Sequence, residues 1–257
     1  MFHRLGGRWG AEGLDLLVPP RCAGCQGDLP AANGEALGSA ATGATGVLVC
    51  PSCCRDLSHD SARCGVCGER SGASPPCEGC RRLRHRCAGL AVLGSYQGQL
   101  RTAILRCKRP SGEPLAVALA GLLVGKHRQT FTDWNVDLVV PVPMHWSRRM
   151  VRGTSAADEL AVEIARRLRL PCRPALRRSV ATRMQNEFPL EARRGNVANA
   201  FRVRSDVRAK TILVVDDVCT TGSTLAACCT ALMVAGATTV YAAVVAKADR
   251  SPNAGDD

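Results

Sequence analysis

Apolar positions in this chain form short runs that alternate between two periods. Ile212 to Val215 is a run of four apolar, mostly β-branched residues, which predicts a buried strand. Val136 to Val140 reads the same way, as does Thr238 to Ala246 after the helix-stopping Gly236. Cys87 to Tyr96, with its small and β-branched residues, predicts a further strand. Between these runs the spacing becomes helical. Gly98 to Arg106 places Leu100, Ile104 and Leu105 on one face, and Leu115 to His127 ends in basic residues that suit a helix C-terminus. Ser155 to Leu168 carries the stripe Leu160, Ile164 and Leu168, with Ser155 as its cap, and Leu225 to Ala235 is a fourth helical run. Strands alternating with helices predict an α/β fold, a parallel sheet with helices on both faces and right-handed crossovers. Pro171 to Lys210 departs from the pattern. It holds nine arginines from Arg173 to Arg208 and few apolar residues. It reads as a hairpin whose basic loop closes over a phosphate ligand, or else as a solvated basic surface.

The strand at Ile212 to Val215 runs into two acids, Asp216 and Asp217, and then into Thr220, Thr221, Gly222, Ser223 and Thr224 before the next helix. Each part has a chemical use. A helix N-terminus presents unpaired N–H groups and a partial positive charge to a phosphate. The hydroxyls add donors, and glycine lets the backbone approach an anion. Paired carboxylates accept hydrogen bonds from sugar hydroxyls or hold water around Mg²⁺. Ligand sites in open α/β sheets lie at this end of the strands. The segment lacks the lysine of GxxxxGK[ST] and the spacing of GxGxxG. It resembles the phosphoribosyl-pyrophosphate (PRPP) signature of type I phosphoribosyltransferases: four apolar residues, two acids and a Thr-Thr-Gly-x-Thr loop.

Four Cys-x-x-Cys pairs precede this domain: Cys22/Cys25, Cys50/Cys53, Cys64/Cys67 and Cys77/Cys80. A two-residue gap lets two thiolates meet one tetrahedral zinc. Eight cysteines therefore predict two four-thiolate zinc sites. The pairing is sequential or crossed, and Cys54 is an alternative to Cys53. A Gly/Ala/Thr-rich insert, Pro30 to Gly46, separates the first two pairs. Cys87, Cys107, Cys172, Cys219, Cys228 and Cys229 have no ligand spacing and read as small core residues.

Composition narrows the class. The chain has 257 residues, 46% hydrophobic and 4% aromatic, with net charge +12 and pI near 9.3. Few aromatics make base stacking a weak expectation. Excess arginine suits phosphate contacts or else reflects codon bias, and the run Arg81 to Arg86 reads as a solvated charged face or as a contact for nucleic acid. No signal peptide or membrane-length apolar run is visible, so a cytoplasmic protein is expected, and there cysteines serve metals rather than disulfides.

The cysteine pairs followed by the PRPP signature resemble the ComF family of bacterial proteins, associated with competence and DNA uptake. The resemblance is carried by Pro19-Pro-Arg-Cys22, the four Cys pairs, Lys108, Asp137 to His145, Arg152-Gly153, Thr182-x-x-Gln185, Arg194-x-Asn196-Val197, Ala200-Phe201 and Val214 to Thr224. The family usually carries Phe-Asn-Gln after the Arg-Gly pair, where this chain has Thr154, Ser155 and Ala156. The resemblance implies a type I phosphoribosyltransferase-like sheet preceded by a small four-cysteine zinc-ribbon domain. The expected division is 1–86 for the ribbon, 87–248 for the transferase-like domain and 249–257 for a loose tail. It further implies that Asp216 and Asp217 receive the ribose hydroxyls and Thr220 to Thr224 the 5-phosphate. Val142, Pro143, Met144 and His145 would form the pyrophosphate loop, and Arg183, Gln185 and Arg194 would lie on the flexible loop. Lys108, Arg148, Arg149 and Arg152 are charge partners without an assigned task. The cofactors implied are structural Zn²⁺ and Mg²⁺ with PRPP. Three roles follow: a PRPP-binding factor in DNA uptake that contacts single-stranded DNA, an active phosphoribosyltransferase with Asp216 and Asp217 as catalytic candidates, or a zinc-ribbon scaffold docking a helicase-like protein.

Overall fold

The computed structural model of the chain describes residues 21–29, 49–58, 62–70, 77, 79–80, 87–144, 155–178 and 200–249. In chain order its elements are α1 (Pro51–Ser58), β1 (Leu90–Ser95), α2 (Gly98–Cys107), α3 (Glu113–Lys126), α4 (Arg128–Asp133), β2 (Leu138–Pro141), α5 (Ala156–Leu168), β3 (Leu176–Arg178), β4 (Phe201–Val203), β5 (Thr211–Cys219), α6 (Ser223–Val234) and β6 (Thr239–Lys247). Four strands form a parallel sheet in the order β1-β6-β5-β2. The antiparallel pair β3–β4 is the hairpin expected within 171–210.

The continuous apolar run in β5 follows from its central place. Side chains alternate across a strand, so a strand covered on both faces must be apolar at every position. Leu213 and Val215 join the core with Leu119 and Leu123 of α3 and with Leu160 and Ile164 of α5. Ile212 and Val214 join the opposite core with Leu225, Cys228 and Leu232 of α6 and with Leu176 and Phe201 of the hairpin. α3, wedged among β1, α2 and α5, is buried almost all round, from Leu115 to Val124.

β5 extends beyond the apolar run. It continues through both acids to Cys219, because β6 supplies ladder partners there, with Asp216 opposite Val244 and Val218 opposite Ala246. Ser155 does occupy the N-cap of α5, but its side chain makes no capping hydrogen bond. Cys87 and Cys229 lie in the core as expected, but against the expectation of metals rather than disulfides Cys87, before β1, is disulfide-bonded to Cys229 of α6. They meet because α6 crosses the face of the sheet beside the chain entering β1, a contact 142 residues apart in sequence.

The cysteine-rich segment packs directly onto this domain. Cys22, Leu29, Val49, Cys53 and Leu57 belong to the same core as Leu93, Leu100 and Ile104. The second knuckle sits against β1 and β6. A Cβ on Gly68 would collide with Leu90 and Val92, and its φ is +72°, so only glycine fits there without strain. Ion pairs tie that seam, among them Arg70 with Asp249 at 3.2 Å. Lys247, almost fully buried, meets Glu69 at 3.0 Å. Arg63 meets Asp249 at 2.7 Å, and Asp249 also accepts from Ser95, so the first tail residue is anchored. Removing one member of a buried pair leaves the other charge uncompensated. Glu69→Ala should therefore lower unfolding free energy by about 3 kcal/mol in a denaturant titration. A change under about 0.5 kcal/mol, typical of a surface site, would show that the pair does not hold the seam.

Candidate functional site

The site is built at the C-terminal ends of β5 and β2, which are neighbours in the sheet, with Pro141 opposite Val215. Alternation along β5 places Asp216 on the face of Ile212 and Val214, and Asp217 on the face of Leu213 and Val215. The acids thus straddle the strand tip instead of sharing one face. Asp216 Oδ1 accepts the Asp217 N–H at 2.9 Å. Burial pushes the Asp216 carboxyl well above the usual carboxylate range, and the Asp217 charge adds to the rise. Asp217 is reached from the other side by Lys108, whose Nζ lies 2.7 Å from Oδ2. Lys108 stands just past the end of α2, where the helix C-cap turns it toward the strand tip. The preceding thiol, Cys107, is pushed up to about 12, first by burial and then by the Glu159 and Asp217 charges, which leaves it inert as a nucleophile.

Beyond Cys219 the loop opens to solvent. Thr220, Thr221, Ser223 and Thr224 are exposed, while Gly222 is buried. Gly222 has φ +79° at the N-cap of α6, a conformation costly for any residue with a Cβ. Its left-handed turn swings the chain from strand into helix and leaves the hydroxyls outward. Thr221 Oγ1 and Ser223 Oγ are 2.8 Å apart, and Thr221 Oγ1 also accepts the Ser223 N–H at 3.4 Å. Beside this loop Val142 donates its N–H to the Val215 carbonyl at 2.9 Å. Val142 is buried, and Pro143 and Met144 are half-buried. The structure therefore brings Asp216, Asp217, Thr220 to Thr224 and Val142 to Met144 to one end of the sheet. His145, Arg148, Arg149, Arg152, Arg183, Gln185 and Arg194 lie outside the described residues, as do the 30–46 insert and the 81–86 basic run. Lys108 is the residue whose task sequence reading left open. Its pairing with Asp217 spans 109 positions and has no local signal.

The eight paired cysteines form two clusters, Cys22/Cys25/Cys50/Cys53 and Cys64/Cys67/Cys77/Cys80, each with sulfurs within 4.8 Å of one another. The pairing is thus sequential, and Cys54 instead donates toward the Val49 carbonyl. A tetrahedral zinc with bonds of about 2.3 Å sets its sulfurs about 3.8 Å apart. The contacts here are 4.0 Å for Cys25–Cys50, 3.5 Å for Cys64–Cys80, 3.4 Å for Cys67–Cys77 and 3.7 Å for Cys77–Cys80. Eight soft donors at that spacing fit zinc. In the first cluster burial raises Cys22, but N–H groups of Cys50, Cys25 and Gly24 outweigh it and bring the thiol to about 7. Burial and the neighbouring sulfurs push Cys53 up.

The family of the Phosphoribosyl transferase domain matches residues 112–256. Over 199 residues the chain is 31% identical to DNA utilization protein YhgH of Escherichia coli O6:H1, covering 75% of this chain and 87% of that protein. Over 213 residues it is 27% identical to Competence protein F of Haemophilus influenzae, covering 80% of this chain and 87% of that protein. The chain belongs to the ComF family. Among solved structures, this ComF chain is similar to a glutamine PRPP amidotransferase from B. subtilis at 21% identity and TM-score 0.39, over 55% of this chain and 30% of that longer one. It is also similar to a purine phosphoribosyltransferase from Pyrococcus horikoshii Ot3 at 14% identity and TM-score 0.33, over 65% of this chain and 99% of that one. Among the described residues of this ComF protein, no helix is long and apolar enough to cross a membrane.

Proposed function

We propose that this ComF protein binds PRPP or a related phosphoribosyl ligand at the β5–α6 turn and serves in the uptake or use of DNA. The observation that carries the reading is the juxtaposition at that turn: two carboxylates at the strand tip and an exposed, hydroxyl-bearing loop entering α6. The 5-phosphate would take the Thr221, Ser223 and Thr224 hydroxyls and the first N–H groups of α6. The ribose hydroxyls would donate to Asp216 and Asp217. The oxygen donors of Asp217 suit Mg²⁺ arriving with the pyrophosphate, where the ion would supply charge neutralisation. Lys108 pairs with Asp217, and its ammonium would add positive charge beside the same anion. The link to DNA is supported by the names of the relatives, a DNA utilization protein and a competence protein.

Thermal shift tests the binding. PRPP with Mg²⁺ at about a hundred times its dissociation constant should stabilise the chain by about 2.7 kcal/mol. No shift up to millimolar PRPP would remove the ligand reading and leave only the fold.

A further inference from the structure

A second cationic feature lies away from the strand tip. Where the first cysteine cluster meets the α2–α3 turn, the surface opens into a cavity of about 620 Å³. That volume falls within the roughly 300–1,000 Å³ range of small-molecule sites. Arg21 and Gln26 line it from the cysteine knuckle, and Arg106, Arg109, Ser111 and Gly112 line it from the α2–α3 turn. Among the described residues no acidic side chain lines it. It shares no residue with the β5–α6 loop or the loop after β2.

The cavity is built rather than incidental. Arg106 donates to the Gly24 and Ala23 carbonyls, which fixes the knuckle against α2. The turn is closed by Arg109 N–H to Arg106 O at 3.0 Å and Gly112 N–H to Arg109 O at 2.9 Å. A side chain at Gly112 would collide with the Cys107 backbone, so glycine there allows the tight turn that places Arg106 and Arg109 on one wall. Arg21 completes the cationic wall. Its acidic neighbour is Asp28, at 3.4 Å and well exposed, a contact of little energetic weight. Arg109 is exposed with no acidic partner among the described residues. Three guanidinium groups held around one opening repel each other, and an anion relieves that repulsion. Their forked donors match phosphate oxygens. Among the described residues no aromatic side chain lines the cavity, so a base would find no stacking surface there, and recognition falls on phosphate.

We propose that this seam cavity is a second anion site, which takes the phosphate of a phosphoester such as one linkage of a single-stranded nucleic acid. Arg21, Arg109 and Ser111 contact the phosphate, while Arg106 positions the knuckle. The proposal stands on the cavity and does not depend on PRPP binding.

The test uses the full-length, zinc-loaded protein and a fluorescent thymidine oligonucleotide, with affinity read by anisotropy between about 50 and 200 mM salt. The double substitution Arg21→Gln/Arg109→Gln should weaken binding tenfold or more. It should also make the log–log salt slope shallower by about 0.7, the contribution of the one phosphate no longer neutralised. In the wild-type protein the oligonucleotide should protect Arg21 and Arg109 from phenylglyoxal, a readout that needs no variant. A second arm replaces the oligonucleotide with inorganic phosphate. Should the double variant keep oligonucleotide affinity but lose the thermal shift given by phosphate, the site stands and its ligand is a free phosphate. Unchanged oligonucleotide affinity and phosphate response in the variant, with no protection in the wild type, would overturn the proposal. PRPP with Mg²⁺ should shift the double variant as it shifts the wild type, so failure here and failure at the strand tip are separable.

Discussion

Chelating zinc from the purified protein is expected to open the Cys64–Cys80 knuckle and to lower the melting temperature of the whole chain. The reason is compositional. The core of that knuckle consists of Cys64, Cys67 and Cys77, with only Val66 and Cys80 packed against it among the described residues. Such a segment buries too little apolar surface to offset its ordering entropy, a difference that a zinc held by the four thiolates would supply. Apparent zinc-binding free energies in small fingers are about 10–16 kcal/mol. If only about 4 kcal/mol of that is coupled to global stability, Tm falls by about 8–16 °C at about 2–4 °C per kcal/mol. The second knuckle also carries Glu69 and Gly68 onto Lys247, so its loss exposes a buried lysine. The first cluster is embedded in the main core beside Leu93 and Leu100, and its opening should be the more resistant of the two. Elemental analysis should find one zinc for each cluster, and Cys67→Ser should remove one of the two. A chain purified without metal that melts at the same temperature with or without chelator would refute the structural role.

The second large effect is expected from Asp216→Asn and Asp217→Asn. Hydrogen bonds to a charged acceptor contribute about 1.5–3 kcal/mol. Each substitution should weaken PRPP about thirtyfold, at about 2 kcal/mol per site, as read by calorimetric titration. The two should differ in stability. Asp216 has a folded-state pKa raised by burial and by Asp217. Below its unfolded value, about 3.9, both states are protonated and the group has no effect. As pH rises from there, the unfolded chain ionises first and stability is lost, until the folded carboxyl ionises too and the loss levels off. Asp216→Asn should therefore be more stable than wild type at neutral pH, and the advantage should vanish in acid. By the same linkage PRPP affinity should fall as pH drops through the raised pKa, since the ligand hydroxyls need the ionised acceptor. Asp217→Asn instead leaves Lys108 without the carboxylate it pairs with, and gains no such stability. Full PRPP affinity in both variants would show that the acids are structural.

What was legible in the sequence was local. The apolar run of β5, the acids after it and the Thr-Thr-Gly-Ser-Thr turn are contiguous, and each residue's place follows from strand alternation or from the turn that Gly222 permits. The helices α2, α3, α5 and α6 were legible as apolar helical runs, whereas the short α1 and α4 carry no such run and were not read from the sequence. Features made by distant segments were not. Lys108 meets Asp217 only because α2 ends above the strand tip. Cys87 meets Cys229 only because α6 lies across the sheet. Asp249, read as tail, is anchored by Arg63 from the knuckle. The length of β5 was also hidden: polar Asp216 and Asp217 look like a strand end until β6 supplies hydrogen-bonding partners. Two sequential four-cysteine clusters could not be told from crossed ones, since Cys-x-x-Cys spacing fixes only the two ligands within each pair.

The claim on which the proposed function depends is that a phosphoribosyl group seats at the β5–α6 turn. The direct measurement is a crystal of the zinc-loaded chain soaked in PRPP and Mg²⁺. The account predicts density for a phosphate against Thr221, Ser223 and Thr224, with ribose hydroxyls within hydrogen-bond distance of Asp216 or Asp217. An empty turn at saturating PRPP, or ligand bound elsewhere while Lys108 still pairs with Asp217, would contradict it.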